Sequence, residues 1–201
     1  MKFLLSIILL TIALYSVNYN QVKITPELSY VHAYHKSSII KIHRIQDTKH
    51  KLTGEYAITY KPMTYIQPIK IKGIKTIGEV ELLKFIKTKA NKQRGLLIDA
   101  RSKKAYKKSI PSAINIPSEV MKNDSKVKKI LSALGIKTKK DGSINSKQAL
   151  SLVIYSHANW CDKAPNFIKI LLENGYPANK ILYYRGGIQM WKILGFTTIR
   201  N

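Results

Sequence analysis

The sequence has little cysteine and few acidic residues. Cys161 is the single cysteine among 201 residues, which excludes an intramolecular disulfide and any metal site built on several thiolates. Only 11 Asp and Glu stand against 35 Lys and Arg, so the formal net charge is +24. Basic residues occur all along the chain, and no nucleic-acid-binding motif accompanies them. We therefore expect a solvated surface that attracts anions, and no nucleic-acid partner.

Long apolar runs are also missing, except at the N-terminus. Met1 and Lys2 carry positive charge, residues 3–17 are almost wholly apolar, and polar Asn18 and Asn20 follow. This layout is typical of an export signal. Residues 1–18 are thus predicted to be a signal peptide or an N-terminal membrane anchor, since no clear cleavage site decides between the two. We expect a periplasmic or secreted protein, and the lack of a nearby cysteine excludes a lipoprotein anchor.

The segment after this signal has a strand-like pattern. Residues 38–45 alternate, with Ile40 and Ile42 on one face and Lys41 and His43 on the other. Residues 52–60 form a second run rich in strand-forming residues, which together with the first suggests a hairpin or small meander. The sequence therefore predicts a small β-rich extension over residues 20–73.

The remainder, residues 75–199, alternates short apolar runs with amphipathic stretches. Thr76 and Glu79 have the spacing of a capping box at the start of a helix. Buried strands are predicted over residues 96–100, 150–155 and 181–184, and further helices over residues 125–134, from Pro165 to about residue 174, and from residue 186 to Gly195. This order predicts an α/β domain with a parallel sheet and helices on both faces.

The loop at residues 156–163 lies between a predicted strand and a predicted helix. Ligands of open parallel sheets bind at the carboxyl ends of strands, and a helix N-terminus favours anions. A thiolate in such a loop becomes a nucleophile at neutral pH. The loop is therefore the candidate site.

Four segments resemble the rhodanese family of sulfurtransferases. They are Leu-Ile-Asp-Ala-Arg at 97–101, Ser-Ile-Pro-Ser-Ala-Ile-Asn-Ile-Pro at 109–117, the loop at 156–163, and Tyr-Arg-Gly-Gly-Ile-Gln-Met-Trp at 184–191. Their order and spacing match the family pattern, with Ser109 where the family has histidine. The resemblance implies a rhodanese-like domain over residues 75–199. It also implies transfer of sulfane sulfur from an oxyanion such as thiosulfate to an acceptor thiol or protein, without a cofactor or metal.

The loop departs from the family at its chemically important position. The resemblance is closest to exported members whose loop is Cys-Asn-Gly-Pro-Trp-Cys and whose upstream segment, here residues 61–68, contains two cysteines. Ser156 occupies the position of the family nucleophile, whereas Trp160 and Cys161 are retained. A serine hydroxyl forms no persulfide, so Ser156 cannot do the family's chemistry.

Three interpretations of this substitution remain open. Cys161 takes over as the sulfur carrier, the domain is a non-catalytic module that binds an oxyanion or a partner protein, or Cys161 only packs under Trp160. The expected substrate contacts are His157, Ala158, Asn159, Trp160, Lys163, Arg101 and Asp99. The last two either orient the loop or form a structural ion pair. A hydrolase based on Ser156 and His157 is disfavoured, because adjacent loop residues seldom meet as nucleophile and base.

Overall fold

The structure is a computed structural model that describes residues 21–58, 65–139 and 141–201. The predicted export signal, residues 1–18, lies outside these ranges. The strands are β1 Tyr30–His35, β2 Ser38–His43, β3 Lys75–Ile77, β4 Gly95–Asp99, β5 Lys108–Ser109, β6 Ala113–Asn115, β7 Lys137–Thr138, β8 Ile144–Asn145, β9 Ser151–Tyr155, β10 Ile181–Tyr184 and β11 Ile199–Arg200. The α-helices are α1 Glu79–Thr88, α2 Asp124–Ala133, α3 Lys163–Glu173 and α4 Gly187–Ile193.

The centre of the molecule is a five-stranded parallel sheet in the order β3-β10-β9-β4-β6. Side chains of the central strand β9 alternate between two apolar layers. Val153 and Tyr155 pack in the layer that contains residues of α1 and α4, while Leu152 and Ile154 pack in the layer that contains residues of α2 and α3. Because helices cover both faces, the strands are nearly continuous apolar runs. The prediction of a parallel sheet between two helical layers is confirmed.

An antiparallel hairpin of β1 and β2 precedes this sheet. The strand predicted over residues 38–45 is confirmed as β2, and Ile42 is fully buried in the same apolar layer as α1 and α4. Its partner is β1, so the pairing predicted with residues 52–60 is wrong for the part that the structure describes. Gly54 turns the chain at a φ of 65° into a single 3-10 turn, Gly54–Tyr56, and the side chain of Tyr56 enters the core. The domain boundary predicted at Gly73 stays a prediction.

Helix positions agree with the sequence prediction, but one cap does not. Thr76 lies in β3, where it pairs with Tyr183 of the neighbouring strand, so it cannot cap α1. The N–H of Gly78 instead donates to the carboxylate of Glu81 at 3.1 Å. Glu79 accepts a hydrogen bond from the Tyr184 hydroxyl at 3.0 Å. The predicted capping box is therefore wrong by two residues, because pairing in the edge strand takes the threonine. Across the described ranges, no helix is both long and apolar enough to cross a membrane.

Candidate active-site loop

The candidate loop begins where β9 ends, at the carboxyl edge of the sheet, and continues into α3. The N-terminus of α4 holds its first two carbonyl groups. Ile188 N–H donates to the carbonyl of Ser156 at 3.1 Å, and Gln189 N–H donates to the carbonyl of His157 at 2.9 Å. Gly187 makes this approach possible, since its φ is 60° and a Cβ there would lie 2.5 Å from the Ser156 carbonyl oxygen. Gly187 of the 184–191 segment therefore fulfils a backbone requirement.

Cys161 and Ser156 differ in their position relative to the cavity at the loop. Cys161 lines a cavity of about 420 Å³, together with His157, Trp160 and Lys163 of the same loop. Ser156 is buried and does not line this cavity; its hydroxyl donates to the carbonyl of Cys161 at 3.5 Å. Both residues are therefore buried, at 6% exposed for Cys161 and 2% for Ser156, and of the two only Cys161 lines this cavity.

His157 is the polar partner of the thiol. Its Nδ1 lies 3.5 Å from Sγ of Cys161, within the range of a hydrogen bond to sulfur. Burial of the ring and, next, the positive charge of Arg101 lower the pKa of His157 to about 4. The imidazole is therefore neutral at physiological pH. Because a neutral ring carries no charge that would stabilise a thiolate, the contact with Cys161 is a hydrogen bond rather than an ion pair.

Aromatic stacking and a side-chain hydrogen bond fix the middle of the loop. The Trp160 ring stacks on His157 with centroids 5.6 Å apart and an interplanar angle of 25°. Its Nε1 donates to the Gln189 side chain at 2.9 Å, and the N–H of Cys161 donates to the carbonyl of the buried Ala158 at 3.1 Å. The indole therefore holds the histidine ring in place from one side.

A segment of the N-terminal extension crosses the loop. The N–H of Gln67 donates to the carbonyl of Asn159 at 2.7 Å, and the Arg185 guanidinium donates to the carbonyl of Gln67 at 2.7 and 3.1 Å. Gln67, Tyr65 and Glu55 also line the cavity. Gln67 and Tyr65 belong to the 61–68 segment that the family resemblance singles out, but no pattern in the sequence predicted that they line the site. Residues 61–64 lie outside the described ranges.

Lys163 was predicted to favour an anion at the loop. Its ammonium forms a salt bridge with Glu119, and the hydrogen bond from Lys163 is the first cause that lowers the pKa of the Glu119 carboxyl. The charge of Lys163 is thus largely balanced within the protein, although the side chain still lines the cavity. Asp162, which immediately precedes α3, adds a negative charge at the same helix end. The loop, at which the sequence predicts anion binding, therefore has less positive charge than the sequence suggested.

Asp99 and Arg101 form a buried ion pair below the loop. Nη2 of Arg101 lies 2.6 Å from Oδ2 of Asp99, and the two side chains are 1% and 0% exposed. The guanidinium also donates to the Tyr56 hydroxyl at 3.0 Å and to the carbonyl of Lys108 at 2.7 Å. Oδ2 of Asp99 accepts a further hydrogen bond from the Tyr155 hydroxyl at 2.8 Å. Neither residue lines the cavity, so the geometry favours the structural alternative over substrate binding.

The structure therefore separates the predicted site residues into three groups. His157, Trp160, Cys161 and Lys163 meet at one cavity. Ala158 and Asn159 line a second cavity of about 350 Å³, together with Arg185 and Gln189, and Trp160 lines both cavities. Ser156, Asp99 and Arg101 are buried underneath. In the described part of the chain, no group of three or more His, Cys, Asp or Glu side chains is placed to hold a metal ion.

A rhodanese-like domain is matched over residues 81–194, more than half of the 201-residue chain. The chain belongs to the rhodanese-like domain family. No curated protein matches this rhodanese-like chain in sequence. The match includes β4, the candidate loop and the whole of α4.

Solved structures similar to this rhodanese-like domain come from several organisms. The Saccharomyces cerevisiae protein Ygr203w, described as a homolog of single-domain rhodanese and the Cdc25 phosphatase catalytic domain, is 14% identical, with 64% of this chain and 86% of that chain covered and a TM-score of 0.46. A rhodanese-related protein of Thermoplasma volcanium is 18% identical, with coverages of 62% and 97% and a TM-score of 0.41. A rhodanese with anions from E. coli is 20% identical, with coverages of 53% and 99% and a TM-score of 0.35.

Proposed function

We propose that this rhodanese-like protein carries sulfane sulfur on Cys161, in place of the family nucleophile whose position Ser156 occupies. The observation that carries the proposal is the position of the thiol. Cys161 lines the 420 Å³ cavity although it is only 6% exposed, and its Sγ lies 3.5 Å from Nδ1 of His157, whereas Ser156 is buried and does not line the cavity. Nucleophilic sulfur chemistry requires a thiol and a group that can accept its proton, and these two residues supply both.

The proposed first step uses thiosulfate as the sulfur donor. The thiol proton of Cys161 passes to Nδ1 of His157, and the thiolate attacks the outer sulfur of thiosulfate. A new S–S bond forms on Cys161 as the bond between the two thiosulfate sulfurs breaks. Sulfite leaves with the electron pair and takes the proton from His157, which leaves a cysteine persulfide. An acceptor thiolate then attacks the outer persulfide sulfur and regenerates Cys161.

The electrostatics of the site predict slow turnover. With its pKa lowered to about 4, His157 is a weak base at neutral pH. Lys163 is paired with Glu119 and therefore contributes little net positive charge toward a dianion. General-base assistance is most efficient when the pKa of the base lies near the working pH. We therefore expect native activity well below that of a rhodanese with its cysteine in the usual position.

A second candidate is a non-catalytic module that binds an oxyanion or a partner protein through the same loop. The observation that favours it is the buried Ser156, because the rest of the loop is fully supported by hydrogen bonds from α4 and Gln67. In this case the loop keeps its shape and has lost only its nucleophile.

Mass spectrometry of the intact protein separates the two candidates. After incubation with thiosulfate and removal of the excess, the sulfur-carrier proposal expects an added mass of one sulfur atom on Cys161. Cys161→Ser should abolish the adduct, and Ser156→Ala, the matched control, should leave it. No adduct in the native protein, together with thiosulfate:cyanide transferase activity in Ser156→Cys, would overturn the proposal in favour of the binding module.

We further propose that residues 1–18 direct the protein out of the cytoplasm, with membrane attachment if the segment is not cleaved. The support is the positive start and the apolar run of residues 3–17. Residues 1–25 fused to a reporter that is active only outside the cytoplasm should give signal. A fusion that is folded and silent would refute export.

A further inference from the structure

A second polar cavity lies away from the candidate loop. It has a volume of about 170 Å³ and lies between residues 45–53, β5, the end of α4 and residues 196–198. Its basic side chains come from separate segments of the chain: His50 and Lys51 from the extension, Lys108 from β5 and Lys192 from α4. Among the described residues that line this cavity, none is acidic. We call it the basic cavity.

Packing and hydrogen bonds hold several lining residues of the basic cavity in place, which distinguishes it from a patch of mobile surface lysines. Phe196, which forms part of the lining, is buried and stacks on Trp191 with ring centroids 4.4 Å apart. Lys192 is half-buried, and its ammonium lies 4.0 Å from the centroid of the Tyr56 ring. The carbonyl of Lys108 is fixed by the buried Arg101 at 2.7 Å. Lys192 and Lys108, two of the four basic residues, are therefore each held by a contact with a neighbouring residue.

Positive charge in and around the basic cavity exceeds negative charge. Burial first, and then the charges of Lys108 and Arg101, lower the pKa of Lys192, while the charge of Glu55 partly opposes this. The Arg44 guanidinium also lies over the Phe196 ring, 5.6 Å from its centroid. Because the nearby positive charges outweigh that of Glu55, a bound anion would stabilise the charged form of Lys192.

We infer that the basic cavity is a binding site for a small tetrahedral dianion of the phosphate or sulfate class. Lys51, Lys108 and Lys192 line it from three separate segments and can supply charge-assisted donors, and Thr53 and Thr198 in the same lining carry hydroxyl groups. The volume equals that of about five or six water molecules at roughly 30 Å³ each, which accommodates an ion with five heavy atoms. The inference does not depend on sulfur transfer at Cys161, because the two cavities share no lining residue.

Calorimetric titration of the full chain with sodium phosphate, and separately with sodium sulfate, tests this site. Ionic strength is held constant with sodium chloride, since the net charge of +24 attracts any anion weakly. We expect one saturable site, which Lys108→Gln/Lys192→Gln weakens about tenfold or more. The matched control is Lys84→Gln/Lys87→Gln, which removes the same charge from the exposed face of α1. It should change the affinity less than about twofold.

Several results would overturn the inference. Equal affinity in the native chain and the Lys108→Gln/Lys192→Gln variant would do so, as would an equal loss in the control, which indicates non-specific attraction. Binding to phosphatidylglycerol vesicles without any binding of the free ions would assign the charge to a lipid surface instead. If the double variant does not fold, the exposed Lys51→Gln replaces it, with an expected loss of about threefold.

Discussion

Replacing Arg101 by methionine tests whether the buried ion pair is structural. Arg101→Met removes hydrogen bonds to Asp99, to the Tyr56 hydroxyl and to the carbonyl of Lys108. The Asp99 carboxylate, 0% exposed, would keep only the Tyr155 hydroxyl at 2.8 Å and the N–H of residue 101 at 3.0 Å. Removing one partner of a buried pair typically costs about 3–5 kcal/mol in the free energy of unfolding. We expect a loss of that size.

Urea denaturation and thermal unfolding, both followed by circular dichroism, measure this loss. In a chain of this length, each 1 kcal/mol corresponds to about 2–4 °C in Tm, so Tm should fall by about 6–20 °C. Lys103→Met is the control, because Lys103 is exposed and close in the chain, and it should change stability by less than about 0.5 kcal/mol. Asp99→Leu/Arg101→Met should recover part of the loss, since an apolar pair leaves no unpaired buried charge.

A loss below about 1 kcal/mol in Arg101→Met would refute this reasoning. If folding were unaffected while any thiosulfate-dependent reaction at Cys161 disappeared, the pair would instead orient the loop. In that case the sequence-based assignment of Asp99 and Arg101 to the substrate site would be correct.

Three further predictions follow from the loop and the extension. Gly187→Ala should lower stability by about 1–3 kcal/mol in urea denaturation, because its Cβ would meet the Ser156 carbonyl at 2.5 Å; an unchanged midpoint would contradict the fit of α4 to the loop. The pKa of His157 is lowered to about 4, so between about pH 4 and 6.5 the unfolded chain binds more protons than the folded chain. The contribution of His157 to the free energy of unfolding is therefore complete above about pH 6.5. Up to about 3 kcal/mol of it is lost on acidification to about pH 4. His157→Gln should show a correspondingly smaller loss over the same window, and an identical pH profile would rule this contribution out. The fragment 70–201 should fold but lose several kcal/mol, because Ile42 and other hairpin side chains leave the shared core; an unfolded fragment by circular dichroism would move the domain boundary ahead of β1.

The sheet was predictable because parallel strands covered on both faces are short apolar runs. Residues 150–155 and 181–184 have that composition, and they form β9 and β10. Strand β3 was missed, since three residues are too few for a pattern and Thr76 also fits a helix cap. Residues 52–58, the described part of the strand predicted over 52–60, do not form a strand, because the aromatic side chain of Tyr56 enters the core from a 3-10 turn. Composition alone does not distinguish this from a strand.

The sequence predicted which loop forms the candidate site, but not the contacts between the side chains of that site. The sequence identified the segment with Cys161 and Ser156, because loop positions after a parallel strand are known in advance from the topology. That His157 approaches the sulfur depends on the turn of the loop, which no local pattern encodes. Likewise, Gln67 and Asn159 are 92 residues apart in the sequence, and only the fold brings them into contact.

That last contact gives the loop a built-in spectroscopic reporter. The amide hydrogen of Gln67 is hydrogen-bonded to the carbonyl of Asn159, and its own carbonyl is held by Arg185. Its hydrogen-exchange rate therefore measures how often the extension lifts off the loop, separately from global unfolding. A ligand that enters the cavity beneath the extension and tightens this contact would slow exchange at one amide. Occupancy could thus be followed in solution without labelling the thiol.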